Sequence, residues 1–220
     1  MLLLAALMTI QATAVPVALT PTPTPTPTPV APAPLPPPAP GMVRVALVTD
    51  EGQIVLDLEQ ARAPITTANF LRYVDGHRLD GVTFYRAARG GPRYGFVQFG
   101  VQNEPKRVLP PIAHEPSTQT GVTHTDGAIS IARLEPGSAR GDFTINLGDQ
   151  PSLDADPTKP GDNLGYAAFG HVVQGLDVVE HIFDAPIADG GFFKGEMLAR
   201  PVRIVSARRV AALPSPRPLR

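Results

Sequence analysis

The chain of 220 residues carries 27 Pro, 20 Gly, no Cys and no Trp, and its 19 basic and 20 acidic side chains leave a formal charge of −1. Without thiols there is no disulfide framework, no Cys-ligated zinc, no iron–sulfur cluster and no thiol nucleophile. The near-neutral balance argues against a surface built for polyanions, so no nucleic-acid partner is expected.

Residues 1–41 contain no Asp, Glu, Lys or Arg, and they divide into two parts. Met1 to Ile10 is an apolar run, and Ala12-Thr13-Ala14 offers a small-x-small cleavage site, so residues 1–14 read as a signal peptide. The run is shorter than the roughly 20 residues that span a bilayer, so no stable membrane span is expected after cleavage, and the mature chain is expected to be periplasmic or secreted. Residues 15–41 read as a disordered Pro/Thr-rich linker: between Pro16 and Pro40 there are 12 prolines in 25 residues, including the alternating run from Thr20 to Pro29. Each Pro fixes φ and lacks an N–H, which favours an extended polyproline II spacer.

Residues 42–210 read as one β-rich domain, with apolar and polar residues alternating between turn signals. Val43, Val45 and Leu47, then Asp50-Glu51-Gly52, then Ile54, Leu56 and Leu58 make a hairpin. Pro64 opens a helix with Ile65, Ala68, Leu71 and Val74 at helical spacing, ending near Gly76. Six more strands are expected at Val82 to Tyr85, Phe96 to Val101, Ala128 to Ala132, Phe143 to Leu147, Ala167 to Val173 and Val202 to Arg209. A second helix after Gly175 carries Leu176, Val179, Ile182 and Phe183. The fold class is therefore mainly β: a closed eight-stranded antiparallel barrel capped by two α-helices. Residues 211–220 read as a disordered, mildly basic tail.

The common catalytic signatures are missing: no GxSxG, HExxH, GxxxxGK[ST] or GxGxxG occurs. The five histidines are scattered, and Asp154, Asp156, Asp162 and Asn163 do not keep EF-hand spacing. No metal and no cofactor is expected.

One set of segments is distinctive: Thr83-Phe84-Tyr85-Arg86, Gly95 to Gly100 (GFVQFG), Ile129 to Arg133 (ISIAR), Gly141 to Asn146 (GDFTIN) and Gly165 to Val179, which contains YAAFGHVVQGLDVV. In this order and spacing, with the opening hairpin and the helix containing Asn69-Phe70, the chain from about Val43 to Val210 resembles the cyclophilin-type peptidyl-prolyl cis-trans isomerases, of a bacterial exported kind with a divergent active site. The resemblance implies an isomerase that needs no cofactor and turns X-Pro bonds of exported or unfolded proteins, assisting their folding. Its partners would be proline-containing polypeptides, and it would act as a monomer. The alternative is a proline-peptide-binding or chaperone-like module of the same fold with little turnover.

Carried over by that resemblance, Arg86 is the catalytic cation, Phe96 and Leu153 are apolar walls of the proline site, and Ala132 is a strand position beside the substrate chain. Val97 stands where the family usually has Met, and Tyr166 where many members have His. Phe99 takes the place of the Gln that orients the Arg, Arg133 that of a substrate-contacting Asn, Thr144 that of a pocket Phe, and Ser152 that of a large aromatic. Asp142 replaces a second Gln and is expected to anchor Arg86 instead. The stretch from Ala87 to Gly95, with Arg89 and Arg93, is longer than usual and is expected to form a mobile lip beside the site.

Overall fold

The computed structural model describes residues 35–210. The expected leader at 1–14, the linker as far as residue 34 and the tail at 211–220 lie outside the described residues.

The chain enters through a hairpin, β1 (Val43–Thr49) and β2 (Gly52–Leu58), in which Val45 faces Leu56 and Leu47 faces Ile54. These side chains are fully buried and face the same interior, as alternation dictates. Six strands follow: β3 (Thr83–Gly91), β4 (Tyr94–Gly100), β5 (Ala128–Ile131), β6 (Asp142–Leu147), β7 (Ala167–Gln174) and β8 (Met197–Arg209). All pairs are antiparallel, and they close in the order β1-β2-β7-β5-β6-β4-β3-β8. Closure removes every sheet edge.

Two helices cover the ends, and β6 locates them. At its Asp142 end, α1 (Pro64–Asp75) places Phe70 edge-on to Phe143, with ring centroids 4.8 Å apart. Tyr73 lies so close over Gly141 that a Cβ there would meet its hydroxyl at 2.5 Å. At the Leu147 end, Gly95 pairs with Leu147, and a Cβ on Gly95 would meet the Phe183 ring of α3 (Leu176–Asp184) at 3.0 Å. α1 has no side-chain cap of its own. The buried carboxylate of Glu115 does that work from a distant loop, accepting Ile65 N at 3.1 Å, Thr66 N at 2.7 Å and the Thr66 hydroxyl at 2.7 Å.

A short α2 (Ser117–Thr120) and a 3₁₀ turn (Pro151–Leu153) are additions to the two expected helices. Two strands are longer than their sequence pattern indicated. β3 runs on to Gly91 and turns directly into β4 at Tyr94, so the expected lip is a strand hairpin, not a loose loop. Its arginines are held: Arg89 Nε donates to the Phe183 carbonyl at 2.7 Å, and Arg93 bonds Glu180 at 2.6 Å and Asp126 at 2.9 Å. β8 begins at Met197, ahead of Pro201, where its pairing with β3 jumps from Val202 to Met197. On the outer face of the first hairpin, Arg44 forks onto Asp57 (2.7 and 2.8 Å) and also donates to the Pro36 carbonyl.

Candidate functional site

Alternation sorts the walls of the barrel into two faces. On β4, Val97 and Phe99 point inward and are fully buried, while Phe96 and Gln98 point outward. The outward set continues through register. Arg86 lies opposite Gln98, Gln98 opposite Thr144, Thr144 opposite Ser130, and Ser130 opposite Ala168. One row of side chains thus crosses five strands on the outside of the barrel. A second set lies one outward step further: Asp142 at the start of β6, Ala132 just past β5, whose N–H donates to the Asp142 carbonyl at 2.9 Å, and Tyr166 just before β7, next to the Ile131–Ala167 pair. Leu153 is tied to this end, its carbonyl accepting Tyr166 N–H at 2.9 Å. Among the sequence-derived candidates, Arg86, Phe96, Ala132, Asp142, Thr144 and Tyr166 therefore share one outer patch, with Leu153 at its border.

Arg86 reaches this face through a bulge. Phe84 pairs with Phe99 and Arg86 with Gln98, so Tyr85 and Arg86 together oppose one residue of β4. Without the extra residue, Arg86 would share the inward face of Phe84. Its Nη1 donates to Gln98 Oε1 at 2.8 Å; its Nε donates to Glu196 Oε2 at 2.6 Å, and Nη2 lies 2.6 Å from the same oxygen. The guanidinium carbon sits 5.1 Å from the centroid of Phe96 and 3.7 Å from that of Phe193. With 17 % of the side chain exposed, the cation is held yet still reachable.

Four expectations change. Phe99 does not stand in the orienting position beside Arg86: it is in the core, 4.7 Å from Phe84, and Gln98 orients the Arg. Val97, which the resemblance implies as a substrate-binding filler of the proline pocket, is likewise a core residue and presents nothing to the patch. Asp142 does not anchor Arg86; its Oδ1 accepts the Tyr85 hydroxyl at 2.9 Å and Gln102 N–H at 3.1 Å. Burial holds the Asp142 carboxyl above the usual Asp range, partly offset by those two donors. The donors of Arg133 are taken up by Asp162 (2.8 and 2.9 Å) and by the carbonyls of Gly165 and Leu134, so it clamps the 154–165 loop instead of offering a fork to a ligand. Its guanidinium lies 5.5 Å from the Tyr166 ring and fixes that edge of the patch.

The row also contains residues that spacing did not select. Gln98 was discoverable from strand alternation, as the outward residue two positions after Phe96. Ser130 could be found the same way; its hydroxyl bonds the Thr144 hydroxyl at 2.8 Å and closes the polar floor. Glu196 and Phe193 lie more than 100 positions from Arg86, and no local pattern links them. Next to the patch, His124 is completely buried with Nδ1 2.7 Å from Asp154 Oδ1. Burial pulls its pKa down, against the raising pull of Asp154. Among the described residues, no three His, Cys, Asp or Glu side chains converge as metal ligands.

Set beside known proteins, residues 44–209 match the family model described as cyclophilin type peptidyl-prolyl cis-trans isomerase/CLD. A peptidyl-prolyl cis-trans isomerase of Acinetobacter baylyi is 32% identical over 167 residues, covering 74% of this chain and 84% of that protein. One from Streptomyces antibioticus is 37% identical over 147 residues, 64% of this chain and 83% of that one. The fold is shared with a solved cyclophilin-type isomerase of Cryptosporidium parvum at a TM-score of 0.62 and 16% identity, covering 78% of this chain and 99% of that structure. The same protein has been solved in the presence of the dipeptide Ala-Pro, at the same TM-score.

Proposed function

The chain belongs to the cyclophilin-type peptidyl-prolyl cis-trans isomerases, and from that premise we propose that Arg86 is its catalytic cation and the outer face around Arg86, Phe96 and Thr144 its substrate groove. The task is conformational. An amide resists rotation by about 18–20 kcal/mol because its nitrogen donates into the carbonyl, and an X-Pro bond left alone isomerises in tens of seconds or longer. As the bond twists, the prolyl nitrogen pyramidalises and gains a lone pair. A hydrogen bond to that lone pair stabilises the twisted state more than either planar one. A guanidinium suits this role because it stays charged at every working pH and needs no proton transfer.

The observation that carries the reading is the way Arg86 is held. A bulge brings it to the outer face, and Gln98 and Glu196 fix its orientation at 2.8 and 2.6 Å. Those two acceptors engage Nε and Nη1 and draw on Nη2, which leaves N–H groups of the five-donor fork unspent. Phe96 beside the cation and the Thr144–Ser130 floor supply an apolar wall and a polar base for a proline and its flanking backbone, with Leu153, Tyr166 and Ala132 at the far border. Preorganised donors of this kind act without reorganising as the charge shifts.

The test is isomerisation of a short X-Pro peptide followed by exchange NMR or a coupled protease assay. Arg86→Ala is expected to lower kcat/KM by about 100- to 1,000-fold with an unchanged circular dichroism spectrum. Arg86→Lys should recover little, because an ammonium cannot reproduce a fixed planar fork. Wild-type turnover in Arg86→Ala would refute the site.

The clients of this reading are exported, unfolded chains, and the domain works as a monomer beyond the inner membrane. The support is the leader-like sequence of residues 1–14 and the proline-rich stretch after it. N-terminal sequencing of the purified mature protein should start near Val15; an intact Met1 in the cytoplasmic fraction would contradict it. Sedimentation should return the mass of one chain.

A further inference from the structure

We infer that the segment Pro186–Ala199 is a working part of the isomerase site, with Glu196 as the positioning residue of Arg86 and Phe193 as the plate that keeps the guanidinium in plane; this rests on Arg86 being the catalytic cation.

The segment leaves α3 and returns to the barrel as β8, and it is built, not loose. Ala188 N–H donates to Met197 O at 2.8 Å and Ala199 N–H to Pro186 O at 2.8 Å, while Ile187 bridges Leu198. Its tip is fastened to the residue after Arg86, since Ala87 N–H donates to Glu196 O at 2.8 Å. Inside the tip, Glu196 N–H donates back to Phe193 O at 3.1 Å. The backbone of Glu196 is therefore fixed relative to the backbone of Arg86 before either side chain is considered. From that anchor the carboxylate reaches Nε at 2.6 Å, and the Phe193 ring lies 3.7 Å from the guanidinium carbon. Phe192, almost fully exposed, braces Phe193 edge-on at 4.8 Å.

These contacts act on different motions. Gln98 holds Nη1, which fixes one end of the fork but leaves rotation about that bond. Glu196 holds the other end, at Nε, so the pair defines an axis. A ring stacked at cation–π distance resists tilting about that axis. A long side chain with four rotatable bonds is thereby reduced to one pose, and orientation is what a hydrogen bond to a transient lone pair requires. The cost is field strength, because an anion at 2.6 Å offsets part of the charge of Arg86. The proposal holds that orientation outweighs the damping.

Kinetics of single variants separate these effects. Glu196→Ala should lower kcat about tenfold while KM stays within about twofold, since Glu196 touches the Arg and not the peptide. Glu196→Gln keeps an acceptor without the charge and should restore kcat to within about threefold of wild type. Phe193→Leu keeps apolar volume without the π face and should lower kcat several-fold. In the ¹⁵N spectrum the Arg86 Nε–H resonance should be protected from exchange in the wild type and in Glu196→Gln, and lost to solvent exchange in Glu196→Ala. In an Arg86→Ala background, Glu196→Ala should have no further effect on kcat, because the two act as one unit.

Unchanged kcat in Glu196→Ala would overturn the proposal. So would a rise in kcat for Glu196→Ala or Phe193→Leu, which would make the segment a plug over the cation. Neither result would touch the assignment of Arg86, which falls only if Arg86→Ala itself keeps wild-type turnover.

Discussion

Replacing Gln98 and Phe99 one at a time tests which of these neighbours serves the cation. Gln98 is buried on the outer face with its Oε1 2.8 Å from Arg86 Nη1. Gln98→Leu keeps the volume and deletes a charge-assisted hydrogen bond of about 1.5–3 kcal/mol. Glu196 still holds Nε, so only part of that value should reach the barrier; about 1–2 kcal/mol corresponds to roughly a 5- to 30-fold loss in kcat/KM. Folding stability should change little, because Leu leaves no polar group stranded except a cation with other partners. Phe99→Gln behaves in the opposite way. Phe99 is fully buried between Phe84 and Phe143, at ring distances of 4.7 and 5.7 Å. Losing that ring costs about 1.5–3 kcal/mol of burial, and an amide left unpaired there costs about 1–3 kcal/mol more. A total near 3–5 kcal/mol lowers Tm by roughly 6–20 °C for a domain of this size. The assays are peptide isomerisation for activity and thermal unfolding by circular dichroism for stability. If Phe99→Gln raised turnover at normal stability while Gln98→Leu left it intact, the register of β4 against β3 described here would be wrong.

Three further outcomes follow from buried polar groups. Asp142 has a raised pKa from burial, so the stability it contributes is present below the ordinary Asp range and is lost as pH rises through its folded value. Asp142→Asn can still accept from Tyr85 and Gln102 and should be at least as stable as wild type at pH 7.5, with the gap closing toward pH 4 in thermal melts; a large loss at pH 7.5 would contradict this. His124 has a lowered pKa, so the unfolded chain binds its proton first, and stability should fall on acidification from the ordinary His value near 6.5 by up to about 1.4 kcal/mol per pH unit. Urea titrations at pH 7.5 and 5.5 should show that slope in the wild type and a weaker one in His124→Gln. Glu115→Ala strands the Ile65 and Thr66 N–H groups at the start of α1 and should cost about 2–4 kcal/mol in the same titration, with Glu115→Gln in between.

The barrel was legible because its strands keep period-two alternation between Gly, Pro and Asp turns, and the residues of the first hairpin with no exposure at all, Val45, Leu47, Ile54, Leu56 and Leu58, are ones the pattern selects. The strand extensions were not. Gly90-Gly91-Pro92 carries the composition of a loop, yet Arg89 and Arg93 fasten those residues to α3 and Asp126, and tertiary bonds override the local signal. Pro201 likewise carries the signal of a strand boundary just ahead of Val202, yet β8 passes through it where pairing with β3 is interrupted.

The site divides along the same line. Arg86, Phe96, Ala132, Thr144 and Tyr166 fall on one outer face because the motif segments that carry the resemblance are themselves strands, and outward positions on paired strands are neighbours. Phe99 falls at the motif's Gln position only by residue count, because the stretch between Phe84 and Phe96 is longer than usual and contains two bulges. Alternation from Phe96 settles it without any alignment: Gln98 shares its face and Phe99 does not. Glu196 and Phe193 belong to another category. They meet Arg86 only because β8 pairs with β3 and the segment before β8 folds back onto Ala87, a consequence of barrel closure. The residues proposed to line the groove are read from strands, whereas the cation is held from two sides, by Gln98 on β4 and by Glu196 and Phe193 from the connection that closes the barrel. Alternation on β4 therefore reveals only one of the two groups that hold Arg86, and the other becomes visible only once the barrel is closed.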